Sequence, residues 1–277
     1  MRPAAARATP IHLALTVTDP DGRPVTKLTQ QNFTLLEDSR PQAILSLSKD
    51  DVPASIGILF DVSASVEKSL PWERAAALQF LKDSNPQDEF FLIGIAAQPQ
   101  LLAGFTSAAN IESHLSQLQA GHRTAFLDSV WLGLETMKDA KYPRKVFLII
   151  SDGGDNASEH SEKAIRSTLR DTDIQIDAVL VDSPDAATVE ERNGPILLRD
   201  LTDNSGGRAL LLDGSAHAAD IGASLAFGLR TEYDLTCASD NNGAPGKWRK
   251  VKVKLQPPPG LPQLTVHART GYYAPLQ

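Results

Sequence analysis

Oxygen-bearing side chains stand at alternate positions directly after an apolar run. The run Ile56-Gly-Ile-Leu-Phe60 has the length of a buried strand, and Asp61, Ser63 and Ser65 follow it. In an extended segment, residues two apart point the same way, so these three side chains can converge on one point. Carboxylate and hydroxyl oxygens are the ligands that a hard cation prefers.

Two further polar residues are expected at the same end of the sheet. Asp152 follows the apolar run Val146-Phe-Leu-Ile-Ile150, and Thr124 follows the loop Gly121-His-Arg at the start of a helical pattern. The strand order that we predict makes the Asp61 and Asp152 strands neighbours at the topological switch point, where open α/β sheets bind ligands. Thr124 is expected to close over the same crevice.

Five side chains form the predicted metal site, and all of them offer hard oxygen donors: Asp61, Ser63, Ser65, Thr124 and Asp152. Mg²⁺ requires near-octahedral oxygen coordination, keeps some of its waters and usually takes one or two carboxylates. Two aspartates in one crevice cost free energy unless a cation joins them. We therefore predict one Mg²⁺ site, with Mn²⁺ or Ca²⁺ as alternatives.

Three other interpretations of these residues stay open. The simplest is a polar strand-to-helix turn in which Ser65 caps the helix. The second is a hydrolase in which Ser63, His122 and Asp152 act as nucleophile, base and orienting acid, although Ser63 lacks the Gly-x-Ser-x-Gly turn that exposes such a nucleophile. A phosphatase with Asp61 as nucleophile is a variant of this class. The third is a purely structural domain with an empty site. We expect a binding module and not an enzyme.

Alternating strand and helix patterns fill the middle of the chain. The apolar runs are short and mostly continuous, as expected of strands covered on both faces of a parallel sheet. Between them apolar residues recur at helical spacing, for example Phe126, Val130 and Leu134. The gap at Gln98-Pro before Leu101-Leu-Ala-Gly-Phe105 is too short for a crossover, which predicts a hairpin and an antiparallel edge strand. We predict a doubly wound, Rossmann-like α/β domain over residues 53–231.

The two ends of the chain carry alternating patterns instead. Ile11-His-Leu-Ala-Leu-Thr-Val17 near the start and Arg249-Lys-Val-Lys-Val-Lys-Leu255 near the end are typical of half-exposed strands. Neither flank alone has enough strands for a stable core, whereas together they have about six. We predict that residues 1–52 and 232–277 form one smaller β-sandwich beside the α/β domain.

Composition limits the classes of protein to which the chain can belong. The 277 residues are 42% apolar and carry a net charge of −7 without a basic run, so nucleic acid is not expected as a partner. Cys237 is the only cysteine, which excludes an internal disulfide and a cysteine-ligated zinc site. No apolar segment reaches the ~18 residues of a membrane helix. The basic start Met1-Arg-Pro-Ala-Ala-Ala-Arg7 precedes no apolar stretch of signal-peptide length, so we expect no signal peptide in this chain.

The residues of the predicted metal site also carry a resemblance to a known family. Asp61-Val-Ser-Ala-Ser65, Thr124 and Asp152-Gly153 match, in order, the metal-ion-dependent adhesion site of von Willebrand factor A domains. The flanking segments that resemble the acidobacterial von Willebrand A-related family are residues 17–25, 33–38 and 269–275. The resemblance to the A domain covers about residues 55–230 and implies the same doubly wound fold.

This resemblance implies an adhesion module with a bound ion. The five residues of the predicted metal site would hold Mg²⁺, some of them through water, and a protein partner would supply an Asp or Glu side chain as a further ligand. His122 and Arg123 stand where small residues are common in the family, so we expect a bulkier and more basic rim that contacts the partner. The resemblance also implies a periplasmic or extracellular location.

Overall fold

A computed structural model describes residues 10–121, 123–181, 189–239 and 246–274 of the chain. In chain order its strands are β1 (Pro10–Thr18), β2 (Phe33–Glu37), β3 (Arg40–Ser48), β4 (Ser55–Asp61), β5 (Glu89–Ile95), β6 (Gln100–Thr106), β7 (Lys145–Ser151), β8 (Gln175–Val181), β9 (Ala209–Leu212), β10 (Tyr233–Ala238), β11 (Trp248–Leu255), β12 (Thr265–Ala268) and β13 (Gly271–Tyr273). Its α-helices are α1 (Leu70–Asp83), α2 (Ala108–Leu115), α3 (Phe126–Thr136), α4 (Glu162–Arg170), α5 (Val189–Ser205) and α6 (Ala218–Arg230). The elements form an α/β unit in the middle of the chain and a β unit built from both ends.

The α/β unit is organised around a six-stranded sheet with the order β6-β5-β4-β7-β8-β9. β4 pairs in parallel with β5 on one side and with β7 on the other, so the topological switch point lies beside the carboxyl end of β4. β8 and β9 continue the parallel arrangement. β6 pairs antiparallel with β5 at the edge, as the gap at Gln98-Pro predicts. The doubly wound α/β class is therefore confirmed.

Two apolar cores cover the two faces of this sheet. On one face Phe60 of β4 packs in a cluster with Phe80 of α1 and Leu225 of α6. On the other face Phe147 of β7 packs in a cluster with Phe126 of α3. β4 is buried over its whole length because both of its faces are covered, and each buried Phe contributes ~1.5–3 kcal/mol. Within the described residues, none of the helices combines the length and apolar character that a membrane crossing requires.

The β unit is a seven-stranded sheet with the order β12-β1-β10-β3-β2-β11-β13. β1 lies between β10 and β12, and β2 lies between β3 and β11, so strands from both chain ends are interleaved. β11 also contacts β12 from the other end of this order, because the sheet curls around its core. Leu13, Leu35 and Leu235 are buried in that core. Both chain ends thus build one β unit, as predicted, and the predicted β-sandwich takes the form of a single curled antiparallel sheet around one core.

A buried ion pair joins the two chain ends inside the β unit. Arg249 Nη1 lies 2.6 Å from Glu37 Oε1, and the Tyr272 hydroxyl donates to Glu37 Oε2 at 3.0 Å. Glu37 is almost fully buried, so these charge-assisted bonds must offset the cost of removing it from water. Burial, and then the Glu37 charge, raise the pKa of the Tyr272 hydroxyl. Polar side chains thus link β2 to its neighbour β11 and to β13, which pairs with the other side of β11.

The β unit lies at the end of the six-stranded sheet opposite to Asp61. Arg144, directly before β7, contacts Glu232, directly before β10, at 2.5 Å. The Thr270 backbone N–H donates to the carbonyl of Asn204, in the last turn of α5, at 3.2 Å. Because β4 and β7 are parallel, the amino end of β7 and the carboxyl end of β4 lie at opposite ends of the strands. The β unit therefore does not cover the end of the sheet that carries Asp61.

Candidate metal centre

Asp61 is held in place by the neighbouring strand. It is the last residue of β4 and is fully buried. Its Oδ2 accepts a hydrogen bond from the Ser151 hydroxyl at 2.5 Å, and its Oδ1 accepts one from the Ser63 backbone N–H at 2.8 Å. β4 and β7 stay in register up to Phe60 and Ile150, so strand pairing itself carries Ser151 to Asp61. The carboxylate is therefore fixed in one orientation.

Ser63 and Ser65 lie where the chain turns away from β4. Their hydroxyl oxygens are 3.0 Å apart. Ser63 is buried, whereas Ser65 is exposed in the 3₁₀ turn Ala64–Val66. The side chain of Ser63 makes no capping hydrogen bond, and α1 begins later, at Leu70, so Ser65 does not cap that helix. The two hydroxyls are thus close enough to contact the same ligand.

Thr124 is fixed between two loops. Its backbone N–H donates to Asn156 Oδ1 at 3.1 Å, and its carbonyl accepts from the Asn156 N–H at 2.9 Å. On the other side, the Gly121 N–H donates to the Val62 carbonyl at 3.1 Å. These bonds hold buried Thr124 close to the loop after β4 and the loop after β7. α3 begins at Phe126, so Thr124 precedes the helix by two residues and does not open it, which corrects the expectation from the helical pattern.

Arg123 forms part of the exposed rim. Its side chain is exposed, and its guanidinium donates to the backbone carbonyl of Asn156. This contact places a positive charge beside the loop that carries Thr124. His122, the other rim residue predicted from the sequence, lies outside the residues that the structure describes.

Asp152 carries a buried oxygen that lacks a hydrogen-bond partner. The residue is 1% exposed, and its Oδ1 accepts from the Gly154 N–H at 2.9 Å. Among the described residues, no group donates to Oδ2. Leaving a buried polar atom unpaired costs on the order of 1–3 kcal/mol, and more for a charged group. Such an oxygen is expected where a ligand completes the site.

The carboxylates of Asp61 and Asp152 repel each other. Burial raises the pKa of Asp61 to about 6, and the Asp152 charge adds to this rise. A cation would relieve the repulsion and give Asp152 Oδ2 a partner, so the residues present fit a hard divalent ion. The described part of the chain contains no group of three or more His, Cys, Asp and Glu side chains that could hold a metal. Such an ion would therefore depend on the serine and threonine hydroxyls.

Glu73 places a third carboxyl group near this site. It lies on α1, is fully buried, and its Oε1 accepts from the Ser69 hydroxyl at 2.7 Å. Its Oε2 has no partner among the described residues. Burial, with the charges of Asp61 and Asp152 adding to it, raises the pKa of Glu73 to about 9. Glu73 is therefore neutral at pH 7 and adds no third negative charge.

Replacing Glu73 with Gln is expected to remove a pH dependence of stability. Unfolded, Glu73 ionises near its ordinary pKa of 4.5, but folded it keeps its proton to about pH 9. Between these values the folded state binds one more proton, so the free energy of unfolding falls by up to ~1.4 kcal/mol per pH unit as the pH rises. The variant lacks this dependence. Its stability relative to the wild type should grow by roughly 2–4 kcal/mol between about pH 5.5 and 8.5.

Urea unfolding at several pH values measures this difference. Gln has the shape of a protonated Glu and keeps the acceptor for Ser69, so the fold is not expected to change. Glu67→Gln, at an exposed position shortly before α1, is the control and should differ from the wild type by a constant amount. If the free energy of unfolding of Glu73→Gln also differed from that of the wild type by the same amount at every pH, Glu73 would already be ionised in the folded protein.

The loop of Asp152 is packed directly against helix α5. Gly153 has a φ of +75°, in the left-handed region that favours glycine. A Cβ atom on Gly194 of α5 would lie 2.4 Å from the Asp152 carbonyl oxygen and 2.4 Å from the Gly153 carbonyl carbon. Only a glycine permits so close an approach of two backbones. α5 therefore supports the backbone that positions the Asp152 carboxylate.

Gly194→Ala is expected to displace this loop. The added methyl group meets backbone rather than a flexible side chain, so it should cost ~1–3 kcal/mol of stability. It should also weaken Mg²⁺ binding in calorimetry, because the Asp152 carboxylate moves with its backbone. The control is Gly104→Ala, whose Cβ would have no atom within 4 Å. Equal metal affinity in the two variants would contradict the positioning role of α5.

The sequence patterns alone do not single out Ser151, Asn156 or Glu73. For Ser151, the available signal is a hydroxyl at the last position of an apolar run. Asn156 stands in a segment rich in turn residues and is interpreted as one of them, whereas the structure pairs it with the backbone of Thr124. For Glu73, the signal is an acidic residue at helical spacing from Leu70, on the apolar face of α1.

The fold and the order of these residues define a class of protein. A doubly wound sheet whose first central strand ends in Asp61-x-Ser63-x-Ser65 has the arrangement of a von Willebrand factor A domain, and comparison with solved structures shows that fold. The conserved hypothetical protein BatB from Bacteroides thetaiotaomicron is 14% identical, with a TM-score of 0.52 over 64% of this chain and 100% of that chain.

Two further solved structures extend the likeness. A von Willebrand factor type A protein from Catenulispora acidiphila is 10% identical, with a TM-score of 0.55 over 96% of this chain and 75% of that chain, so the match includes the β unit. Proximal thread matrix protein 1 from the mussel byssus is 16% identical, with a TM-score of 0.52 over 70% of this chain and 50% of that chain. At these identities the likeness shows the fold alone. Neither a family model nor a curated protein matches the sequence.

Proposed function

We propose that this chain is an adhesion module that captures an acidic group of a protein partner through a bound Mg²⁺ ion. The observation that supports this most directly is Asp152 Oδ2, a buried carboxylate oxygen without a partner among the described residues. Burial, and then the Asp152 charge, raise the pKa of Asp61, and a bound cation would counter both effects. Mn²⁺ and Ca²⁺, which also take oxygen ligands, are the alternatives.

The residues of the predicted metal site would contribute in two ways. Asp61 and Asp152 supply negative charge, whereas Ser63, Ser65 and Thr124 supply neutral oxygen donors. A site with only one direct carboxylate leaves the ion with positive character toward an incoming ligand. When bound, the ion supplies a coordination position that an oxygen of the partner can occupy.

The charge of the rim favours an acidic partner. Arg123 is exposed beside the Thr124 loop, and its field acts over about a Debye length of roughly 10 Å at ordinary salt. A carboxylate gains both a bond to the ion and charge complementarity, whereas a neutral carbonyl gains less. The net charge of −7 opposes this attraction only at longer range, where salt screens it.

Binding fits this site better than catalysis by a serine. A nucleophilic serine needs a general base within hydrogen-bond reach. The acidic group that interacts with the Ser63 side chain is Asp61, whose two oxygens already accept from the Ser151 hydroxyl and from the Ser63 backbone N–H. Ser63 Oγ also contacts Ser65 Oγ, and a second hydroxyl is not a base. We therefore propose that the chain is not an enzyme. We also propose a periplasmic or extracellular location, which the family resemblance implies and which suits a fold shared with a thread matrix protein of the mussel byssus.

Partner capture with and without a chelator tests this proposal. The immobilised protein is expected to retain a partner from an extract of its source organism in Mg²⁺ and to release it in EDTA. Replacing the acidic contact residues of that partner one at a time with Asn or Gln should identify one change that removes the chelator-sensitive part of the affinity. Binding that is indifferent to both treatments, or turnover of generic esters or phosphates, would contradict the proposal.

A further inference from the structure

A second candidate site lies between the α/β unit and the β unit, at the end of the sheet opposite to Asp61. It is a cleft of about 770 Å³. One wall comes from α4, α5 and the amino ends of β7 and β8, and the other comes from β1, β10 and β11. Clefts of roughly 300–1,000 Å³ at the junction of two domains are where small-molecule ligands are commonly bound.

Apolar side chains form part of this cleft. Leu169 of α4, Leu201 of α5 and Ile174 before β8 contribute from the α/β unit, and Tyr233 and Trp248 contribute from the β unit. Ile174, Leu201 and Tyr233 are largely buried, so they present only part of their surface to the cleft. The cleft can therefore hold an apolar group of a ligand on a preformed surface.

The charges that line the cleft are mainly positive. Its Lys and Arg side chains are Arg144, Lys145, Arg166, Arg170, Lys250 and Arg269, and its Asp and Glu side chains are Asp50, Asp173, Glu232 and Asp234. Six cations thus stand against four acids, in a chain whose net charge is −7. The excess of cations among the lining residues attracts anions to this place.

Several of these cations already have partners. Arg144 pairs with Glu232 at 2.5 Å, and Arg269 pairs with Asp173. Arg166 lies 2.6 Å from a carboxylate oxygen outside the cleft, and the Lys145 ammonium donates to a backbone carbonyl at 3.2 Å. These side chains hold the two units together or make contacts within one unit.

Arg170 and Lys250 are different, because neither makes a salt bridge with a described residue. Arg170 ends α4 and is exposed, with its guanidinium carbon 5.9 Å from the ring centre of Trp248. This cation–π contact orients the guanidinium without neutralising it. Lys250 is exposed on the facing strand β11. The two cations belong to different units and border the same cleft.

We propose that this cleft binds a small amphipathic organic anion. Its carboxylate, sulfonate or phosphate group would lie between Arg170 and Lys250, and its apolar body would lie against Leu169 and Ile174. A charge-assisted bond from each unit would make the ligand bridge them. This site is independent of the proposed metal centre, because it uses other residues at the opposite end of the sheet.

A matched pair of fluorescent probes tests the site on the whole chain. 8-Anilinonaphthalene-1-sulfonate is an amphipathic anion, and N-phenyl-1-naphthylamine is its neutral analogue without the sulfonate. The wild type is expected to bind the anionic probe saturably at one site. Arg170→Gln with Lys250→Gln should weaken that probe by about tenfold or more, while binding of the neutral probe changes by less than about twofold.

The control is Lys252→Gln with Lys254→Gln, which removes the same charge from exposed positions of β11 outside the cleft. It should leave the anionic probe bound as in the wild type. Thermal melting and Mg²⁺ calorimetry should be unchanged in both double variants, which separates this site from the metal centre. Absence of saturable binding, equal affinity in the cleft variant, or an equal loss in the control would each overturn the proposal.

Discussion

Asp152→Asn is expected to abolish Mg²⁺ binding while the fold survives. The side chain is buried beside the Asp61 carboxylate, and its Oδ1 accepts from Gly154, a bond that Asn can keep. The variant loses one of the two charges that would neutralise the ion, so calorimetry should show at least about a hundredfold weaker binding, or ~2.7 kcal/mol. Unchanged affinity would remove Asp152 from the site.

The thermal stability of the same variant without metal is a second prediction. Removing the Asp152 charge relieves its repulsion of Asp61, so the melting temperature in chelator should equal or exceed that of the wild type. Mg²⁺ at a hundred times the Kd of the wild type should stabilise the wild type by ~2.7 kcal/mol and the variant by at most ~0.4 kcal/mol. Asp203→Asn, at an exposed position on α5, is the control for net charge and should respond to Mg²⁺ like the wild type.

Deleting residues 231–277 is expected to unfold the N-terminal flank. Among the described strands, β1 lies between β10 and β12, and both of these strands are in the deleted segment. Of the strand pairings described in the β unit, the β2–β3 hairpin would remain, and an isolated hairpin is marginal in water. Hydrogen exchange over β1 should therefore approach that of an unfolded chain, while β4 stays protected in the same sample.

A point variant tests the same idea without truncation. Leu235 of β10 is fully buried in the core of the β unit, so Leu235→Ala should cost ~2–5 kcal/mol and lower the protection of β1. Leu261→Ala removes the same atoms from an exposed position and serves as the control. β1 protection that survives both the deletion and Leu235→Ala would show that the N-terminal flank folds by itself.

The fold could be predicted largely because its signals are periodic. Continuous apolar runs such as Ile56-Gly-Ile-Leu-Phe60 indicate strands covered on both faces, and the short gap at Gln98-Pro indicates the antiparallel edge. Alternating runs at both chain ends indicate half-exposed strands that lack partners nearby. The curl of the β unit could not be predicted, because it depends on contacts between β11 and β12 that no local pattern encodes.

The candidate site could be predicted only in part. Alternate spacing after β4 indicates which oxygens face one point, but it gives no information on what fixes them. The hydrogen bond from Ser151 to Asp61 depends on the register of two strands, and the support from Gly194 depends on a helix far along the chain. Both contacts join segments that are far apart along the chain, and a single sequence does not show which distant segments meet. The metal ion and the acidic partner stay predictions.

Locating Mn²⁺ by its anomalous scattering is the most direct test of the metal centre. Mn²⁺ takes the same oxygen ligands as Mg²⁺ and is visible where Mg²⁺ is not. Crystals grown with millimolar Mn²⁺ are expected to show one strong anomalous peak in contact with the Asp61–Ser65 loop and close to the Asp152 carboxylate, and crystals of Asp152→Asn should lack it. No peak at that place in the wild type, or a peak that persists in the variant, would contradict the account.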